Sequence, residues 1–135
     1  MQDELAVITP FVAGYLVLAS LLVGSFFNLA ADRLPRGESL IHPRSHCRSC
    51  GRQLNLVDLL PVAGYLVRRG RCATCAAPIG AASPLVEAVC GGLMLVALLA
   101  FGLWPGAGLG LGLVALWGVL VTSLSMRRRV DGLAR

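Results

Sequence analysis

The sequence predicts an all-α integral membrane protein, with three transmembrane helices and a cysteine-rich loop between the first and the second. Three observations predict it. The chain is 56% apolar and only 14% charged, where a soluble domain carries about 25% charge. Its mean hydropathy is +0.75. Three runs of at least 20 residues are nearly free of charge, and the positive charges, all arginine, gather beyond the ends of those runs. A composition this poor in charge argues against a disordered chain, a coiled coil and an ordinary soluble enzyme. Too little charged surface remains to coat a water-soluble helical bundle.

The first element is Ile8 to Ala31, 24 residues without a charge. A spanning helix needs about 20, and Pro35 is placed to stop it. The second is Pro84 to Leu103, broken only by Glu87, with Pro84 suited to the first turn of a helix. The third is Gly106 to Met126, 21 uncharged residues ending at Arg127-Arg128-Arg129. Trp104-Pro105-Gly106 between them reads as a tight interfacial turn, with Trp104 at headgroup depth. The chain thus divides into a first transmembrane helix within residues 1–32, a cysteine-rich loop over 33–83, and the second and third helices with a basic tail over 84–135.

Arginine placement sets the expected orientation. No arginine precedes residue 33, eight lie from Arg33 to Arg71, three follow the third run and Arg135 is last. The N-terminus is expected outside, and the loop and the C-terminus inside. The acidic start, Asp3-Glu4, does not resemble the positive opening of a secretory signal peptide, so the first span is expected to stay in the mature protein.

The loop carries two cysteine pairs, Cys47-Arg48-Ser49-Cys50 and Cys72-Ala73-Thr74-Cys75. Each sits in a short repeat: Cys-x-x-Cys, a small residue, two spacers, then an aliphatic. A two-residue spacer lets both thiolates of a pair reach one ion at about 2.3 Å, and two such pairs complete a closed tetrahedral zinc site. With no open position for water, zinc bound by Cys47, Cys50, Cys72 and Cys75 would be structural. A disulfide framework competes, but thiols stay reduced in a cytoplasmic loop. A redox Cys-x-x-Cys also competes, but no thioredoxin-like strand–helix–strand pattern surrounds either pair. His46 is a second-choice ligand, and Cys90 reads as a small buried hydrophobe. Nucleic acid is not expected as a partner: the loop arginines flank membrane spans and lack interleaved aromatics. Topology and anionic lipid headgroups account for them more simply.

Gly24-Ser25-Phe26-Phe27-Asn28, Arg33-Leu34-Pro35-Arg36-Gly37-Glu38-Ser39 and Pro43-Arg44-Ser45-His46-Cys47 resemble the opening of the type IV prepilin peptidases (leader peptidase/N-methyltransferases). So do Asp58-Leu59-Leu60-Pro61-Val62, Tyr65-Leu66, Arg69-Gly70-Arg71-Cys72, Cys75, Pro78-Ile79 and Pro84-Leu85-Val86-Glu87. The likeness runs from about residue 20 to 95 and includes both cysteine pairs. It implies a multi-pass protein of the bacterial inner membrane. It also implies a role in cleaving the leaders of type IV pilins and type II secretion pseudopilins and in methylating the new N-terminus. The resembled N-terminal module is linked to the methylation step, and the proteolytic half uses two membrane-embedded aspartates, one in Gly-x-Gly-Asp. Here Ser125 stands near the expected position of one aspartate, Asp131 lies beyond three arginines, and no Gly-x-Gly-Asp occurs. An aspartic protease needs two carboxylates sharing a proton. No catalytic residue is therefore assigned, and the chain alone is not expected to be a peptidase.

Three roles stay open. One is a stand-alone N-terminal module that acts with a separate aspartate-bearing half. Another is an S-adenosylmethionine-dependent N-methyltransferase of processed pilins, although no methyl-donor site is legible. The last is a non-catalytic degenerate scaffold. Asn28, Asp32, Arg33 and Glu87 fall at the inner ends of the first two helices. They are expected either as a polar cluster holding a pilin amine or methyl donor, or as an Arg33–Glu87 or Arg–Asp pair fixing helix packing. The glycines from Gly106 to Gly112 suit small-xxx-small helix contacts, as Gly106 with Gly110 and Gly108 with Gly112, within the chain or with a second membrane protein.

Overall fold

The computed structural model describes the backbone of residues 2–133 and the side chains of 7–132. The side chains of Asp3 and Glu4, and Arg135, lie outside the described residues. Three long helices form the body. Helix α1 spans Gln2–Arg33, α3 spans Ala82–Phe101 and α4 spans Leu103–Leu133, and the single-turn α2, Ala63–Val67, lies in the loop. All three long helices are long and apolar enough to cross a membrane, so the chain has the build of a multi-pass membrane protein.

Helix α1 ends where the sequence makes it end. Pro35 cannot continue the α-helical bonding, so Leu34–Arg36 tightens to one 3-10 turn. Gly37 then takes the left-handed conformation at φ +68° and donates its N–H to the Leu34 carbonyl at 3.0 Å. The loop from 37 to 81 is held by its own turns and returns the chain to α3.

Each long helix contacts the other two, and small residues set how close they come. Gly24 of α1 lies against the α3 backbone: a Cβ there would sit 2.9 Å from Glu87 Cα. Gly110 of α4 accepts the Met94 sulfur, and Gly118 accepts the Phe27 ring. The core between the helices is small. Cys90 and Met94 are fully enclosed, with Ala30, Ala97 and Val114 around them. Outward-facing Phe11, Tyr15, Leu99 and Leu116 leave an apolar perimeter suited to hydrocarbon. Of the two glycine pairs expected in contact, Gly106 and Gly110 face α3, whereas nothing lies within 4 Å of a Cβ at Gly108 or Gly112.

The turn between α3 and α4 differs from the expectation. It falls at Gly102, with φ +76° and ψ −179°, not at Trp104-Pro105-Gly106. Trp104 and Pro105 belong to the first turn of α4. Only glycine takes the Gly102 backbone without strain, while proline is tolerated in a first helical turn, whose N–H groups have no helical partner. Helix α4 also continues through Arg127-Arg128-Arg129 to Leu133, since nothing in that stretch breaks a helix.

Candidate functional site

The two cysteine pairs fold into two copies of one small knuckle, offset by 25 residues. In the first, Cys47 donates its N–H to the Arg52 carbonyl at 2.8 Å, and Gly51 donates to the Cys47 carbonyl at 2.8 Å. In the second, Cys72 donates to Ala77 at 2.9 Å, and Ala76 donates to Cys72 at 3.1 Å. Leu54 bonds back to Ser45 as Ile79 bonds back to Gly70, at 2.8 and 2.7 Å. His46 bridges Gln53 as Arg71 bridges Pro78. In each copy the residue after the second cysteine has positive φ: Gly51 at 72° and Ala76 at 56°.

The knuckles face each other and bring four sulfurs together. Cys47 Sγ and Cys75 Sγ are 3.7 Å apart, and Cys50 Sγ and Cys72 Sγ are 3.9 Å apart. All four lie within 4.8 Å of one another. A disulfide would need about 2.05 Å. A tetrahedron with metal–sulfur bonds of about 2.3 Å has edges of about 3.8 Å, so the group can hold one metal ion. His46 is not part of it; its ring Nδ1 lies 2.9 Å from the Arg44 carbonyl.

The backbone prepares thiolates. The Cys50 and Ser49 amides lower the pKa of Cys47. The Cys75 and Thr74 amides lower that of Cys72, to about 6. At Cys75 the Ala77 amide favours the thiolate, but burial and the neighbouring Cys50, Cys72 and Cys47 sulfurs outweigh it and push the value up to about 11. Four thiolates this close cannot all ionise without a cation among them, and a divalent metal supplies one.

Next to the sulfurs is a charge node that sequence reading did not single out. The Asp58 carboxylate is almost wholly buried, and it accepts from Arg52 Nη2 and Arg68 Nε, both at 2.6 Å, and from the Asn55 N–H at 3.1 Å. Asn55 Oδ1 accepts the Asp58 N–H in return at 3.0 Å. Burial alone would raise the Asp58 pKa, but the Asn55 amide and the two guanidiniums outweigh it and hold the carboxyl below its ordinary value. The Arg52 pKa is raised chiefly by its hydrogen bond to Asp58, and the place of Arg52 in the first knuckle, where its carbonyl accepts the Cys47 N–H, sets the node beside the metal ligands. The available signal was Asn55-x-x-Asp58, a reciprocal turn spacing, and the only acid between Glu38 and Glu87.

A cavity of about 450 Å³ lies between this node and the loop ends of α1 and α3, with Asn28, Asp58, Tyr65, Arg68 and Glu87 among its walls. The expected cluster of Asn28, Asp32, Arg33 and Glu87 is not one group. Asn28 and Glu87 share the cavity. Glu87 accepts the Val62 N–H at 2.7 Å and the Ser83 hydroxyl at 3.0 Å, and so pins a Val62 backbone strained at φ +56°. Among the described residues Arg33 has no carboxylate partner, and it is not paired with Glu87. Buried, it donates to the Ser39 and Pro43 carbonyls, each at 2.7 Å. Asp32 pairs with Arg36 and Arg48.

The comparisons with known proteins match this architecture. Residues 18–101, which hold both knuckles and the cavity, match the family described as the bacterial peptidase A24 N-terminal domain. The chain belongs to this family. It is 39% identical over 93 residues to a prepilin leader peptidase/N-methyltransferase of Myxococcus xanthus, covering 69% of the chain and 28% of the relative. A protein of the same description from Klebsiella pneumoniae is 35% identical over 128 residues, covering 90% and 55%. One from Bacillus subtilis is 35% identical over 88 residues, covering 65% and 36%. The chain thus spans from about a quarter to about half the length of these relatives. No solved structure matches it.

Proposed function

We propose that the A24 N-terminal domain chain is the metal-organised module of a pilin-processing system. In this reading it lies in the bacterial inner membrane, with its N-terminus outside and its loop in the cytoplasm. It acts with an aspartate-bearing peptidase half on pilins or pseudopilins of type IV pilus or type II secretion systems. The observation that carries the reading is the four-sulfur group, whose Cys72 lines, together with Arg52 and Asp58, a cavity at the loop ends of α1 and α3, within the segment shared with prepilin leader peptidase/N-methyltransferases.

The thiolates of Cys47, Cys50, Cys72 and Cys75 would hold zinc. The ion would supply folding energy, and the closed donor set leaves it no position for substrate. This chain's residues do the rest. Arg52 of the first knuckle pairs with Asp58, Asp58 orders Arg68, and Glu87 anchors the loop to α3 through Val62 and Ser83. Together they fix the cavity walls where leader and membrane surface meet.

A second reading, which follows from the relatives' description as N-methyltransferases, is that the module itself binds S-adenosylmethionine. Methylation would move the sulfonium methyl to the pilin N-terminal amine, releasing S-adenosylhomocysteine and a proton. The degenerate scaffold is the outcome in which neither activity depends on the chain.

The test is a tagged chain purified from native membranes, with co-purifying proteins identified by mass spectrometry and methylation of cleaved pilin assayed on the preparation. A stoichiometric polypeptide carrying two membrane aspartates, with methylation that requires both, supports the module reading. S-adenosylmethionine turnover by the chain alone supports the second. Processing and methylation left intact when the chain is deleted defeat both.

A further inference from the structure

Away from the metal and the cavity, the loop ends of α1 and α4 enclose an open notch of about 530 Å³. Its floor is Ala31 and Ser125, and its rim carries Arg36, Arg128 and Arg129 against a single carboxylate, Asp32. That carboxylate is already engaged by Arg36 and Arg48. Among the described residues no carboxylate pairs with Arg128 or Arg129, and the Ser125 hydroxyl has no hydrogen-bond partner. The notch therefore presents unneutralised guanidiniums above a small-residue floor with one free hydroxyl.

Its position matters as much as its charge. Asp32 and Arg127 are the first charges that follow the uncharged runs of α1 and α4, so the notch lies where hydrocarbon gives way to headgroups. A second groove adjoins it through Ala31, Asp32, Ser125 and Arg128, and runs along Val86, Val121 and Leu124. Unpaired guanidiniums beside a groove whose walls include Val86, Val121 and Leu124 can take both the phosphate and the acyl part of a phospholipid. Guanidiniums hold phosphate oxygens by paired, charge-assisted hydrogen bonds. We infer that this notch is a specific site for the phosphate of an anionic phospholipid whose acyl chain lies along the Val86–Val121–Leu124 groove. The lipid would staple the loop end of α4 to that of α1.

The test is native mass spectrometry of the full chain in detergent, equilibrated with phosphatidylglycerol and phosphatidylcholine in equal amounts. Phosphatidylglycerol is expected to be retained about tenfold over phosphatidylcholine, and millimolar inorganic phosphate is expected not to displace it. The pair Arg128→Ala, Arg129→Ala should abolish the preference. Ser125→Asp, which places a carboxylate in the floor without removing an arginine, should do the same. Arg127→Ala, just outside the notch, should keep it. Equal retention of the two lipids overturns the inference. So does an Arg127→Ala loss as large as that of the double variant, which would mean diffuse attraction to the basic stretch. Displacement by inorganic phosphate overturns the lipid in favour of a soluble anion.

Discussion

The two knuckles share one backbone plan but differ in what surrounds them. Each has the same amide-to-carbonyl ladder, the same bridge and the same positive φ after its second cysteine. The first knuckle stands out in solvent: Cys47 is half-buried, Cys50 is exposed, and Gly51 occupies the left-handed turn. The second is the inner one. Cys72 is buried although Cys75 is exposed, and Ala76 occupies a turn that suits glycine. The metal geometry therefore belongs to both knuckles equally, and both reach the helices: the first through Arg48 to Asp32 of α1, the second through Cys72 in the cavity wall. The first knuckle carries the charge contact to Asp58 through Arg52, and the second places its buried cysteine in the cavity wall.

The largest expected effect breaks the equality. Cys47→Ser and Cys72→Ser should each abolish stoichiometric zinc, because structural zinc supplies about 10–16 kcal/mol of apparent folding energy and a three-thiolate remnant holds it far more weakly. Both loops should become sensitive to protease, while the helical circular dichroism persists, because each long helix satisfies its backbone internally. Only Cys72→Ser should also disturb Tyr65 fluorescence, since Tyr65 lines the cavity on the inner side. Unchanged metal content in either variant would remove the four-cysteine site.

A second effect tests the charge node. Asp58→Asn leaves two guanidiniums facing a neutral amide, and breaking such a buried group of charges costs about 3 kcal/mol. The expected outcome is a loop that opens at lower denaturant with its zinc stoichiometry kept. The acid dependence has a definite sign. The folded pKa of Asp58 lies below its unfolded value. Its contribution is thus fully present above the unfolded value, about 3.9, and is lost as pH falls through the folded one. Below about pH 4 the stability difference between the parent chain and Asp58→Asn should therefore shrink. A difference that grows on acidification would mean that Asp58 is not held ionised by Arg52 and Arg68.

Much of this arrangement was legible in the residues, for stated reasons. Three uncharged runs can only be long helices, and the repeat of Cys-x-x-Cys at a fixed offset requires two like turns, so helices and sulfurs could be placed in advance. Partner choice among charges could not. Arg33 looked like a partner for Glu87, but the chain doubles back after Gly37 and brings the Ser39 and Pro43 carbonyls to its guanidinium first. Asp58 was visible as an acid but not as a hub, because Arg52 and Arg68 reach it from opposite ends of a turn whose path is set by packing. The α3–α4 turn was misplaced by two residues because Trp104-Pro105-Gly106 has turn composition, whereas Gly102 is marked only as a lone glycine between Phe101 and Leu103, yet it is the one that takes φ +76°.

The smallest effect sharpens the comparison most, because it touches no ligand. Gly51 and Ala76 hold equivalent places, and an L side chain in the left-handed region costs about 1 kcal/mol relative to glycine. Gly51→Ala should weaken the outer knuckle by about that amount, and nothing lies within 4 Å of the added Cβ to add a steric term. Ala76→Gly should move the inner knuckle the other way, relieving φ +56°, by up to about 1 kcal/mol after the greater freedom of glycine in the unfolded chain is subtracted. Competition for zinc with a chromophoric chelator reads both changes directly: retention is expected to fall for Gly51→Ala and rise for Ala76→Gly. If instead both variants lose zinc, Ala76 is held by contacts its methyl makes in the second knuckle, and the two turns are alike in backbone only.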